Sequence, residues 1–255
     1  MLQKISMKKI ILTLLNLTTA CFLHGQDKKE VSAIVAEGRQ LYRSEMASWF
    51  GTDVFMAKHR DKRENIGGYF SYMENNLTKC IFFSREKNAE VIGTVTFDKT
   101  FNVKTAIDNG TTRLFTSYEK DLFVITGPKN TGVVLFGNDY LLLFDEKNNL
   151  VSKQKIHNSL ITTDLSLGTI TTTSTSLAAE NPAATKQTGG IHSHVLSDYM
   201  TSTDICTLLL YERYTTWEEY VVVSDKYVSK WNCKTDQLNV FTKEAWEKII
   251  EAKKK

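Results

Sequence analysis

The stretch Gly189-Gly190-Ile191-His192-Ser193-His194, followed by Thr201-Ser202-Thr203-Asp204-Ile205, decides how this chain is read. Residues 190–194 have the look of a short strand. Residues 203–214 have that of a helix with Ile205, Leu208 and Leu209 on its core side. Side chains two apart on a strand share a face, so His192 and His194 can offer two imidazoles to one ion. Asp204 returns at the head of the helix and can reach the same point. Two histidines, one carboxylate and a water form an open catalytic zinc shell. Such an ion lowers the pKa of its water to about 7 and polarises a carbonyl, and a nearby Glu serves as general base.

Working outward toward the C-terminus, residues 220–223, 227–232 and 237–241 read as strands. Thr242 then caps a last helix that carries Trp246, Ile249 and Ile250. Toward the N-terminus, residues 162–190 are rich in Thr, Ser, Ala and Gly. Their few apolar side chains bury too little to offset ordering, which predicts a flexible insertion. Residues 133–136, 140–144 and 150–156 are strand-like, with a turn at 145–149. Thr116 and Glu119 have the spacing of a capping box, which predicts a helix over Tyr118, Leu122, Phe123 and Ile125. Residues 69–73, 79–84 and 91–97 form a β-meander joined by polar turns, and residues 101–107 extend it. Val31, Ile34, Val35, Leu41, Met46, Trp49 and Phe50 set a helical rhythm over residues 30–60, with Gly51 as an interruption.

The implied fold class is α+β, an antiparallel-rich mixed sheet with flanking helices. Residues 26–255 form a single α+β domain, divisible into lobes 30–130 and 131–255. Before it, Lys4, Lys8 and Lys9 precede the apolar run 10–17. That run is too short for a membrane span of roughly 20 residues, and it has the form of a signal peptide over residues 1–25. The expected location is therefore exported: periplasm, cell surface or secreted. Cys21, after Thr18-Thr19-Ala20, raises a second possibility, a lipid anchor. Losing residues 1–25 removes three lysines and no acid, so the formal charge of +3 falls to zero. The mature chain then has no global attraction for nucleic acid or anionic membrane, and no transmembrane span. Cys80, Cys206 and Cys233 show no CxxC spacing. A Cys80–Cys233 disulfide and three free thiols are both open.

His-Ser-His, then Ser/Thr-x-x-Asp at the head of a helix, then paired strands, resembles the JAMM/MPN (JAB) zinc metalloprotease domain. The resemblance covers residues 130–241 and makes the C-terminal part JAMM/MPN-like. It implies zinc held by His192, His194 and Asp204, with Thr201 or Ser202 steadying the oxyanion. Glu90, in Glu90-Val91-Ile92-Gly93, resembles the family's Glu-x-x-Gly strand and would activate water. The implied activity is hydrolysis of a peptide or amide bond in a peptide or protein substrate. Val195 departs from the family's Pro, and Glu90 lies unusually far from His192.

Other readings of these residues stay open. His192 and His194 can instead hydrogen-bond Asp198 or Asp204 and hold a loop. The chain would then be a non-catalytic secreted or envelope binding module without a metal. Cys206, in the first turn of its helix, is a candidate thiol nucleophile beside His192 or His194. His157 at a strand end and His59 in a charged run do not stand out as ligands. Tyr211, Tyr214 and Trp217, at helical spacing, read as core. No P-loop, dinucleotide fingerprint or Gly-x-Ser-x-Gly elbow occurs.

Overall fold

The computed structural model describes residues 25–86, 90–107, 121–125, 132–145, 147, 149–164, 169–172 and 188–253. Helix α1 (Gly25–Lys58) runs for 34 residues and leads through a 3-10 turn (Arg60–Asn65) into the meander. The meander is an antiparallel sheet in the order β1 (Ile66–Glu74), β2 (Leu77–Ser84), β3 (Val91–Phe97), β4 (Val103–Ile107). Asn75 and Asn76 close the first hairpin with φ of 51° and 62°. Asn tolerates that left-handed backbone, and two such residues give the turn whose twist matches the strands.

Two three-stranded antiparallel sheets follow. One runs β5 (Asp121–Val124), β7 (Tyr140–Phe144), β8 (Leu150–Lys155). The other runs β10 (Thr169–Thr172), β9 (Leu160–Asp164), β6 (Val133–Gly137). The last sheet has the order β11 (Gly189–Ser193), β12 (Glu219–Val223), β13 (Tyr227–Asn232), β14 (Gln237–Thr242). β11 and β12 are parallel, whereas the remaining pairs are antiparallel. A parallel pair needs a crossover, and helix α2 (Ser202–Tyr211) with its 3-10 extension (Glu212–Tyr214) supplies it. Helix α3 (Lys243–Lys253) closes the chain, and the Thr242 hydroxyl accepts a bond from Ala245 N at 3.2 Å. The α+β class and the flanking helices are as the sequence implies. Among the described residues, no helix is long and apolar enough to cross a membrane.

α1 serves two cores. Ala47 and Phe55 pack with Cys80, Phe82, Val95 and Phe97 of the meander, where the Phe55 and Phe82 rings stack at 4.2 Å. Ile34, Val35 and Tyr42 pack on the second core, whose centre is Phe136, Met200, Ile205, Leu208, Tyr220 and Trp231. Each large apolar side chain so buried contributes about 1.5–3 kcal/mol.

Three expectations are corrected. α1 runs through Gly51 without a break. A Cβ there would lie 2.6 Å from that of Cys80, so this glycine permits close packing of helix on sheet. Residues 121–124 are strand β5, paired with β7, and not helix. An apolar run this short has no period to separate the two forms. Thr116, Tyr118 and Glu119 lie outside the described residues. The span 162–190 is not one insertion, because β9 includes Thr162–Asp164 and β10 pairs with it. Thr and Ile are good strand formers, and pairing overrides the low apolar content. Cys80, Cys206 and Cys233 are all free thiols. Cys80 belongs to the first core, and Cys233 packs beside the second. Cys21 and all of the expected 1–25 signal peptide except Gly25, which begins α1, lie outside the described residues.

Candidate metal centre

The ligand-type residues converge where β11 meets α2. On β11 the side chains alternate, leaving Ile191 57 % exposed and His192 6 % exposed. His194, one residue past the strand, is 5 % exposed. Gly190 lets the strand lie against β12, since a Cβ there would meet the Tyr220 ring at 2.4 Å. Asp204 sits in the first turn of α2, where the helix dipole favours a carboxylate.

A fourth member comes from a place the sequence did not mark. His157, in the β8–β9 connection, is buried and places Nε2 3.1 Å from Asp204 Oδ1. His192 Nε2 lies 2.9 Å from His194 Nε2 and 3.6 Å from Asp204 Oδ1. His194 Nε2 lies 3.3 Å from Asp204 Oδ2. One donor atom from each of the four residues falls within 4.8 Å of all the others. Tetrahedral zinc, with bonds of about 2.0–2.1 Å, requires ligand–ligand edges of about 3.3 Å. The four separations given, 2.9–3.6 Å, lie near that value, so three imidazoles and one carboxylate could hold a metal ion here. The donor set suits a divalent transition metal.

The outward ring nitrogens face outer groups that orient the imidazoles. His192 Nδ1 meets Tyr220 Oη at 3.2 Å. His194 Nδ1 meets the Tyr199 carbonyl at 2.9 Å and Ser197 Oγ at 2.8 Å. His157 Nδ1 lies 3.5 Å from Asp139 Oδ2, an ion-pair separation without hydrogen-bond geometry. Outer partners of this kind turn the other nitrogen toward a metal. Phe136 forms the apolar wall, 4.7 Å from the Tyr220 ring and 5.6 Å from that of His192.

Without a cation the cluster is electrostatically divided. Burial works against protonation of His157, but Asp204 and Asp139 outweigh it and raise its pKa to about 10. Burial pushes His192 down to about 4, against the pull of Asp204, and also lowers His194. Burial disfavours charge on Asp204, yet the surrounding imidazoles hold its carboxyl well below the usual range.

Thr201 is the N-cap of α2 in a capping box. Its hydroxyl accepts from Asp204 N at 3.2 Å and donates to Asp204 Oδ2 at 2.7 Å, while Thr201 N donates to Oδ2 at 2.8 Å. This leaves Oδ1 facing His157 and His192. Ser202 is buried at the start of the helix. Glu90 is exposed at the head of β3, where its backbone pairs with Ser84. It is not part of the four-residue group. Asp198 pairs with Lys226 at 2.7 Å rather than with a histidine. Cys206 is fully buried, and burial pushes its thiol well above the ordinary range, which speaks against the candidate thiol nucleophile. Trp217 is core as read, whereas Tyr214 is 62 % exposed.

His157 is the candidate ligand that sequence reasoning missed. It stands 35 positions before His192 with no motif around it, and only the pairing of β6 with β9 delivers its loop to the site. Comparison with family models, with curated proteins and with solved structures finds no match to this chain.

Proposed function

We propose that this protein is an exported zinc-binding protein whose ion is enclosed by His157, His192, His194 and Asp204. In this reading the ion ties the β8–β9 loop, β11 and α2 together and supports a non-catalytic binding module. The observation that carries it is the fourth donor. Catalytic zinc keeps one position open, whereas structural zinc is closed by four protein ligands. His157 supplies the fourth ligand here, and the ligand side chains are at most 6 % exposed. When bound, zinc supplies a charge that neutralises Asp204 and crosslinks three segments distant in sequence.

X-ray absorption on the zinc-loaded protein tests this. The expected spectrum is four nitrogen or oxygen ligands, with a multiple-scattering signature of three imidazoles. A shell with two imidazoles and an exchangeable solvent ligand would contradict it.

A second reading, a JAMM-like hydrolase of peptide or amide bonds, draws on one observation. His192 and His194 leave a strand end and meet Asp204 at a helix head, as that resemblance implies. It requires His157 to leave the ion, and it leaves the base unassigned because Glu90 stands apart. His157→Ala separates the two readings. A closed site loses zinc affinity and remains inert toward peptide substrates. An open site keeps its zinc and cleaves them.

A further inference from the structure

A cleft of about 310 Å³ is lined by Tyr42, Met46, Phe50, Thr100, Phe101 and Arg213. Three of these residues recur every four positions along one face of α1, the spacing that stacks side chains on one stripe. Phe101 comes from the β3–β4 turn and holds φ at 61°, a left-handed backbone that is costly for a bulky residue. Its ring lies 5.6 Å from that of Phe50, which is itself 38 % exposed. Strain of this kind persists only where the surroundings enforce it, and it gathers at binding sites.

Two guanidinium groups border the cleft, while the nearby carboxylate Asp98 is taken up by the amide and hydroxyl of Thr100. Arg213 is exposed, and its guanidinium is oriented by a hydrogen bond to Tyr42 Oη. Arg43 lies 5.4 Å from the centroid of the Phe101 ring and donates to the Lys99 carbonyl and to Thr78 Oγ1. Its Nε is buried without a hydrogen-bond partner. Among the described residues, neither guanidinium forms a salt bridge with a carboxylate. Flat aromatic walls accept a planar apolar body, and a guanidinium fork accepts a carboxylate in two parallel bonds.

We infer that this cleft is a binding site for a small aromatic carboxylate. The ring of the ligand lies among Phe50, Phe101 and Tyr42, and its carboxylate meets Arg213. Its lining residues are distinct from the four residues of the candidate metal centre.

Calorimetric titration of the intact protein with benzoate and 2-naphthoate tests it, with benzamide as the uncharged analogue of benzoate. The acids are expected to bind at one site, and benzamide about tenfold or more weakly than benzoate. Arg213→Gln is expected to weaken acid binding about tenfold while leaving bound metal unchanged. Phe101→Gly, which accepts the left-handed backbone and so keeps the turn, is expected to weaken it similarly. The inference is overturned if neither acid binds, if benzamide binds as tightly as benzoate, or if both variants bind like the parent.

Discussion

The meander half of the molecule and the half around β11–β14 lean on the same helix, but they solve burial with different materials. Over β1–β3, Ala47 and Phe55 of α1 pack on Cys80, Phe82, Val95 and Phe97, a core almost wholly of hydrocarbon. Under β11–β13 the core continues from Tyr220 and Phe136 into three imidazoles and a carboxylate, all buried. Packed hydrocarbon is stable alone, whereas buried ionisable groups are costly unless paired or bound to a metal. The first half is held by packed volume, whereas in the second a cation bound as proposed would add to the ion pairs already present.

The strongest way to break this contrast is to remove the ion. Structural zinc supplies on the order of 10 kcal/mol of folding free energy in small domains. Chelation is expected to release the amides of β11, β12 and α2 to hydrogen exchange, while those of β1–β3 keep their protection. Equal loss in both halves would erase the distinction. The converse experiment is Phe82→Ala, at a side chain with no exposed surface. It should cost about 3–5 kcal/mol in chemical denaturation, as for other buried aromatics, with metal content unaltered.

Finer tests sharpen the polar half. Asp139→Asn should weaken zinc binding by about 10–100-fold, because it removes the carboxylate behind His157. Competition with a chromophoric chelator reads this directly. Thr201→Val removes the cap hydroxyl from α2 and from Asp204 Oδ2, at a cost of about 1 kcal/mol in denaturant.

The smallest effect concerns Glu212, which accepts a bond from Trp231 Nε1 at 3.3 Å. Burial, with Asp236 nearby, raises its pKa from 4.5 to about 7. Between those values the folded state holds a proton that the unfolded state has lost, so stability falls as pH rises through this window. Half-exposure keeps the effect below about 1 kcal/mol. Thermal melts of Glu212→Gln should show a flatter decline than the parent over the same range.

The strands were legible because their apolar residues alternate and their turns carry Asn and Asp. Asp145, for example, takes the amides of Lys147 and Asn149 at 2.8 Å each. The helix after Asp204 was legible from the spacing of Ile205, Leu208 and Leu209, and His192 and His194 from strand periodicity, whereas the Thr201 cap was not read. Gly51 misled because the penalty for glycine in a helix is local, whereas the approach of Cys80 is tertiary. His157 stayed hidden because its contribution depends on which strand lies beside β6, and strand order has no signature in local spacing. The candidate metal site was thus visible in part, with three donors and an assumed water, while its fourth potential donor emerged only from topology.

The central claim is that these four side chains hold one ion. Mass spectrometric metal analysis of the purified protein, beside a His192→Ala/His194→Ala variant, tests it most directly. About one zinc per chain in the parent and none in the variant is the predicted result. Equal and negligible metal in both proteins would contradict it and leave a buried hydrogen-bonded histidine network instead.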